Sequence, residues 1–428
     1  MPSIALTGAP AAPVNTPTGV VGVPNNFASL TTAQAAAWSK NLWQTVRQKS
    51  FVMANTGSTF NSVFMRVTEL TKNAKGTQAI MTLVPDLDSE GVNGNGFIEG
   101  REKALDAEEQ QILIDQLREA NKSKGRMSEQ ATVVNFRNTS RDKLGYWMAD
   151  SIDQLAATLL SGWPTALKTN GALRTSFTVP GNVPTLAAGV DADMTFAGLD
   201  FMNNATGVGG IGQASPLTNN RVFYIDSAGV LTAGTGADKA NFTSASVVKY
   251  EHFIDLKATL ADRRLQAIQG DMGTAMYHVL VHPKVMATLK KDPTFLSNVR
   301  QGSARGPNNP LFTGAIPTID GMVFHEWTHC INTLGANMGA NASGLGNLGD
   351  KWGTDGQVDG SRVLFLGAQA LGIADLGAPT WDERDHFDYG DKPGIAISKM
   401  FGLLRPRFTS AQDGSIEEYG VATLDVAI

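Results

Sequence analysis

Ala107-Glu-Glu-Gln-Gln-Ile-Leu-Ile114, Lys122-Ser-Lys-Gly-Arg126 and Asn138-Thr-Ser-Arg-Asp-Lys-Leu-Gly-Tyr-Trp-Met-Ala-Asp-Ser-Ile-Asp-Gln-Leu-Ala-Ala-Thr-Leu-Leu-Ser-Gly-Trp-Pro164 are three pieces of one stretch, and together they decide the fold. The first reads as a β-strand and the second as a polar, basic connector. In the third, Leu144, Trp147, Met148, Ile152, Leu155 and Leu159 recur at helical spacing, while Arg141, Lys143, Asp150 and Gln154 take other faces. Gly162 and Pro164 end the pattern, because glycine accepts the left-handed backbone of a helix end and proline cannot extend a helix. The stretch holds almost no reactive side chains. A long amphipathic helix behind an extended segment reads as a building block.

The 428 residues suffice for a large core divided into two or three subdomains. A hydrophobic content of 42% with 18% charged residues describes a globular chain, and 45 glycines imply long irregular stretches. The net charge of -5 gives no basic footprint for specific nucleic-acid binding. With Cys330 as the one cysteine an internal disulfide is impossible, which points to a reducing compartment. Residues 1–39 carry no charged side chain, and Pro2, Pro10, Pro13, Pro17 and Pro24 break any apolar run, so no secretory signal is read there. The sequons at Asn121, Asn138, Asn204, Asn241 and Asn341 then carry no weight. No window holds the roughly 20 apolar residues of a membrane span. The reading is a soluble protein made in the cytoplasm.

Residues 1–30 cannot bury enough surface to fold alone, and suit an arm that orders on a neighbouring subunit. Ala35, Trp38, Leu42 and Val46 predict a helix over 31–49. Ser62–Leu70 and Thr77–Val84 predict strands, with Glu108–Ile114 returning after a glycine-rich tip. This elongated hairpin has little core of its own and suits a loop lying on another subunit. A short helix is predicted over 128–137. Residues 165–245 read as a loopy insertion and 246–269 as helical. Tyr277–Val281 reads as a strand entering a helix at His282–Leu289, and Asp320–Trp327 as another strand. A glycine-rich loop follows over 331–360. Arg362–Leu366 reads as a strand running into a short Ala/Gly helix, and Gly394–Leu404 with Glu417–Val426 as a β pair. The sum is an α+β fold with mixed strands.

Three motifs invite an enzymatic or metal reading. His325-Glu-Trp-Thr-His329 matches H-E-x-x-H, which on a helix lets His325 and His329 bind zinc while Glu326 activates water. Ile319-Asp-Gly-Met-Val-Phe324 before it is strand-like, and on a strand positions i and i+4 lie about 13 Å apart, too far to share a metal. Gly207-Val-Gly-Gly-Ile-Gly212 lacks the flanking strand and helix of a dinucleotide site. Asn93-Gly-Asn-Gly-Phe-Ile98 with Glu102 resembles part of a calcium loop, but Gly91 stands at the first ligand position. Asp86, Asp88 and Glu90 leave weak cation binding at the tip as an alternative to a solvated acidic loop. Nothing places a base beside Cys330. The expectation is no catalytic residue, no cofactor and no metal.

Ile114-Asp-Gln-Leu-Arg118, Ser123-Lys-Gly-Arg-Met-Ser-Glu-Gln130, Asp142-Lys-Leu-Gly-Tyr-Trp147 and Asp153-Gln-Leu155 together resemble the phage N-four-type family of major capsid proteins. Leu70-Thr-Lys-Asn-Ala-Lys-Gly76 with Glu99-Gly-Arg-Glu102 is similar to the family's hairpin region. Val279-Leu-Val-His-Pro283 with Leu289–Asp292 resembles its strand-and-helix motif. Phe387-Asp-Tyr-Gly390, Gly394 and Phe401-Gly402 resemble its C-terminal strands. The resemblance covers most of 60–165 and 277–428.

It implies a Hong Kong 97-type capsid fold and no enzymatic activity. The implied parts are an N-terminal arm over 1–55, an E-loop hairpin region over 56–115 and a peripheral domain over 116–165 with a spine helix at about 138–162. An axial domain over 166–370 and C-terminal strands over 371–428 returning to the peripheral domain complete them. The implied function is self-assembly into hexamers and pentamers of an icosahedral virion shell around double-stranded DNA. Portal and scaffolding or decoration proteins are the implied partners, and no membrane is. Lys122, Lys124, Arg126, Arg137 and Arg141 become candidate inward phosphate contacts. An encapsulin-like compartment shell would share the fold, and a zinc hydrolase using His325, Glu326 and His329 is the remote alternative.

Overall fold

The apolar stripe that starts at Leu144 is the face of the longest helix, α4 (Phe136–Ser161), and the computed structural model buries it except for half-buried Trp147. That model describes residues 32–67, 76–83, 91–100, 108–131, 135–180, 183–204, 212, 216–234, 242–270, 274–302, 318–338, 350–384, 388, 391–410 and 415–428. Leu144, Met148, Ile152, Leu155 and Leu159 are each at most 2% exposed, and each such burial is worth about 1.5–3 kcal/mol. Asn135 caps the helix by accepting from the Asn138 N–H at 3.2 Å. At the other end Gly162 sits at φ 62, where a side chain would be strained, and the N–H groups of Gly162 and Trp163 turn back to Leu159 and Thr158.

Helix α1 (Thr32–Lys49) lies on α4, with Leu42 and Val46 buried between them and Thr45 against Gly145. The one-turn helix α2 (Phe51–Ala54) follows. Asp153 on α4, 4% exposed, accepts the Ser50 hydroxyl at 2.6 Å and the Phe51 and Val52 N–H groups at 3.0 and 3.3 Å. Burial pushes its carboxyl above the usual range, and these three donors oppose that rise. The short helix α3 (Arg126–Ala131) precedes α4. The predicted helix over 128–137 is thus displaced, because Asn135 already serves as the cap of the next helix; residues 132–134 lie outside the described ones.

Two sheets flank this helical layer. In the first, β1 (Thr56–Gly57), β2 (Phe64–Val67), β15 (Leu371–Asp375), β17 (Gly394–Leu404) and β16 (Thr380–Arg384) run in that order, and β5 (Asp115–Lys122) joins the other side of β17. In the second the order is β12 (Thr318–Ile319), β13 (Met322–Glu326), β11 (Ala275–Val281), β14 (Gly360–Leu366), β20 (Val421–Ala427), β8 (Val222–Ile225) and β9 (Leu231–Ala233), with β10 (Ile268–Gln269) on β11. Every residue of β14 and β20 is buried. Leu364 and Leu366 face the α4 core, while Val363 and Phe365 face a second core. That period of two is what a sheet covered on both faces requires. The second core is closed by α6 (Tyr250–Asp262), α7 (Pro283–Leu289) and Phe295 of α8 (Pro293–Gly302).

Several expectations are corrected. Gly394–Leu404 and Glu417–Val426 are not partners: β17 lies in the first sheet and β20 in the second. No Ala/Gly helix follows Leu366, because Gln369 and Ala370 donate to the Ser62 and Val63 carbonyls and lead into β15. The helix expected over 246–269 stops at Asp262. The stretch 165–245 holds α5 (Asp200–Asn204), the small hairpin β6 (Phe177–Thr178) and β7 (Thr185–Leu186), and two strands of the second sheet. A final two-stranded pair, β18 (Arg407–Thr409) with β19 (Ile416–Glu418), leads into β20.

The hairpin, β3 (Gln78–Leu83) paired with β4 (Glu108–Leu113), is better anchored than its sequence suggests. Ala79, Met81, Leu83 and Ile112 pack with Val67 and Ala374 in a small core. The approach is close enough that a Cβ on Gly402 would meet the Leu113 carbonyl at 2.2 Å. No helix among the described residues is long and apolar enough to cross a membrane.

Replacing Asp153 by Ala removes the shared acceptor of Ser50, Phe51 and Val52 and is expected to cost about 2–4 kcal/mol. Urea unfolding of the unassembled subunit is the check: the midpoint falls for Asp153→Ala and recovers partly for Asp153→Asn, which keeps one acceptor oxygen.

Candidate functional site

The H-E-x-x-H residues do not converge. His325 lies on β13, opposite Leu280 of the parallel strand β11, and Glu326 ends that strand. The Lys290 ammonium takes Glu326 at 2.6 Å. His329 lies beyond the strand and contacts Asp150 of α4 at 3.2 Å. His325 instead stacks on His278, with Nε2 and Nδ1 2.8 Å apart, and packs edge-on against Phe51. No group of three His, Cys, Asp or Glu side chains among the described residues is placed to hold a metal. Cys330 is fully buried, and burial pushes its thiol up, away from nucleophilic use.

The other motif residues are only partly described. Gly212 is the one member of the glycine motif within the described residues. Asp86, Asp88, Glu90 and Glu102 lie outside them, while 91–100 forms two turns. Two of the five basic candidates are held in ion pairs. Arg137 pairs with Glu383 at 2.7 Å, Arg141 with Asp142 at 3.0 Å, and Lys122 sits at the end of β5 beside Gly394. Lys124 is exposed, and the Arg126 side chain lies outside the described residues.

Two features stand open. At the hairpin tip Phe97 is 84% exposed and Ile98 62%. Adjacent large apolar side chains this bare suit an interface better than a solvated turn. The second is a groove of about 780 Å³ along β5, lined by Asp115–Glu119, Trp147, Arg174, Ser176, Asp193–Phe196 and Gly198–Asp200. Sequence reading missed β5, because Asp-Gln-Leu-Arg-Glu-Ala-Asn-Lys carries little β propensity. Its weak inward alternation, with Asp115, Leu117 and Asn121 half-buried, was the available signal.

The histidine pair sets an acid limit. Both imidazoles lie below the ordinary value, mainly because burial disfavours their charged forms, and His325 beside His278 is pushed down to about 4. In the unfolded chain these imidazoles take up protons near pH 6.5, whereas folded His325 resists until about 4. Stability is therefore fully present above about 6.5 and declines as the pH falls toward 4. The loss of melting temperature between pH 7.5 and pH 5 should be smaller in the His278→Gln/His325→Gln double variant than in the parent. Equal losses would refute this assignment.

A family model described as "Phage capsid protein" matches residues 26–428. The major capsid protein of Pseudomonas phage KPP25 is 40% identical over 412 residues, covering 96% of this chain and 100% of that protein. Among solved structures, the capsid of Ralstonia phage GP4 superposes with a TM-score of 0.63 at 20% identity, covering 96% and 98% of the two chains. The cyanophage Pam1 capsid gives 0.61 at 15% identity, covering 89% and 92%. The α+β architecture is thus a phage capsid fold, in line with the expected Hong Kong 97 type. With a family model matching residues 26–428 and 40% identity to a relative over 96% of its length, the chain belongs to the phage capsid protein family.

Proposed function

We propose that this chain is the repeating subunit of a phage head, acting as a major capsid protein that closes into an icosahedral shell of hexamers and pentamers around double-stranded DNA. One observation carries the reading: 40% identity to a major capsid protein across 96% of this chain and the whole of that relative. Similarity of that extent favours a phage shell over an encapsulin-like compartment, and the separation of His325 from His329 removes the basis for a zinc hydrolase.

Five parts are proposed. An arm spans 1–55. The region 56–115 carries an E-loop ending in Phe97 and Ile98, and 116–165 holds the spine helix α4. The axial domain spans 166–370. Residues 371–428 supply C-terminal strands, of which β15–β17 serve the first sheet and β20 the second. Heterologous contacts repeat around each closed ring, so modest individual contacts multiply on closure. Portal, scaffolding or decoration proteins and non-specifically held DNA are the proposed partners. Synthesis in the host cytoplasm precedes incorporation into the virion.

Electron microscopy of the expressed chain tests the function: uniform shells or capsomer rings are expected, and a small monodisperse monomer at all concentrations would sink the reading. The tip makes a sharper demand. A Phe97→Ser/Ile98→Ser variant should keep the parent's melting temperature within about 2 °C, since both side chains are already exposed. Its yield of particles by light scattering should drop at least about tenfold, as for loss of interface anchors.

A further inference from the structure

Among the described residues the outer edge of β5 has no strand partner, and it lies beside a groove. Among the described residues β5 pairs only with β17, in antiparallel register from Lys122 opposite Gly394 to Asp115 opposite Phe401. The ladder continues with the Ser123 N–H donating to the Pro393 carbonyl at 2.9 Å. Antiparallel alternation therefore points the odd-numbered residues of β5 at β17 and turns the backbone groups of Gln116, Arg118 and Ala120 outward. The side chains agree. The Gln116 N–H donates to half-buried Asp115 at 2.6 Å, whose other oxygen accepts from the Asp200 N–H at 3.0 Å, and the Ala120 N–H donates to exposed Glu119 at 3.1 Å. The Glu119 partner is given up at little cost, because the freed carboxylate returns to water. An eight-residue edge normally has to be blunted or used.

We propose that this edge is a strand-addition site, and that residues 18–23 in the N-terminal arm of a second copy occupy it; the proposal rests on the shell-subunit reading. In the groove Asp115, Glu119, Asp193 and Asp200 outnumber Arg118 and Arg174, and Arg174 is engaged by Gln154 and by the carbonyls of Thr165 and Leu167, so the balance is acidic. A neutral or basic strand fits such a groove better than an acidic one, and residues 1–31 carry no charge. Thr18-Gly-Val-Val-Gly-Val23 is a proline-free run between Pro17 and Pro24, with three β-branched valines. A segment bounded by prolines tolerates pairing on one side only, which is the situation of a new outermost strand. Within 91–100 the positive φ of Gly91, Gly94 and Gly100 leaves no uninterrupted run of six residues to match 18–23. A ring built from one kind of chain needs a donor segment and an acceptor surface on that same chain. Arm and edge supply both.

Disulfide capture in assembled particles tests the pairing, with Arg118→Cys combined with Val20→Cys or with Val21→Cys, one of which faces the side of Arg118. The native Cys330 is fully buried and stays silent. Oxidation should give a ladder of covalent multimers in one pairing and none with Arg118→Cys alone. Absence of a ladder in both, or a cross-linked monomer only, overturns the proposal. Amide exchange gives a second measure: the 116–120 segment should exchange at least about tenfold more slowly in parent particles than in unassembled subunits. Particles of a Val20→Pro/Val21→Pro variant should lose that protection. Unprotected parent particles, or protection that survives in the variant, overturn the assignment. Failure of the parent chain to form particles at all would instead count against the shell reading itself.

Discussion

Two buried arginines converge on the last turn of α4, and the relation between the two sheets depends on them. Arg405, at the end of β17 in the first sheet, donates to the Leu159 carbonyl at 2.8 Å. Arg362, on β14 of the second sheet, donates to the Ser161 carbonyl at 2.5 Å. The carbonyls ending a helix lack internal partners and carry the negative end of its dipole, so cations there are favoured twice. Neither arginine is left with uncompensated charge. Arg362 holds Asp425 of β20 through two contacts of 2.7 Å. Arg405 lies 3.6 Å from Glu418, which also accepts from Arg407 at 3.2 Å and from the Thr218 hydroxyl at 2.7 Å. Burial pulls Arg405 down to about 10, still well above any working pH.

Buried pairs of this kind add little net stability over apolar packing, since desolvation offsets attraction. Their effect is on geometry. An apolar helix end could slide against either sheet, whereas guanidinium groups aimed at two carbonyls and two carboxylates fix one position. Lys399 repeats the pattern within the first sheet: its ammonium reaches Asp375 and the Gly377 carbonyl and stands 3.8 Å from the Trp43 ring, tying α1 to β15 and β17. For a subunit that must present the same outline to every neighbour, a small gain in uniqueness outweighs a small loss in stability.

The sequence was legible where local rules and tertiary packing agree. Helix α4 announces itself through the spacing from Leu144 to Leu159 and through Gly162, and α1, β3, β4, β11 and β13 follow similar patterns. It was illegible where long-range partners decide. β5 is a strand because β17 offers it a ladder, and its own composition argues otherwise. The division of β17 and β20 between sheets turns on pairings with residues far away in the chain, such as Thr423 with Leu364 and Val222. Nor can spacing reveal that Arg221 and Glu417, 2.9 Å apart, are buried together. The H-E-x-x-H motif illustrates the converse. Its regularity is real, but β13 directs His325 to His278 while the turn beyond it sends His329 to Asp150.

These two kinds of information divide the molecule by task. Buried, long-range polar pairs fix the two-sheet body around the end of α4. The surfaces left for assembly are locally simple: a hairpin tip with two bare apolar side chains, and a strand edge on which the Gln116 and Ala120 amides rest on neighbouring carboxylates. Simplicity there has a physical reason. A contact that must form late, and with another copy of the chain, cannot be completed inside the subunit, so its groups have to stay exposed or loosely satisfied until the neighbour arrives. The same requirement explains why the most conspicuous chemistry in the chain is turned inward: a shell subunit needs its charges to define its shape, and its outer edges to remain available.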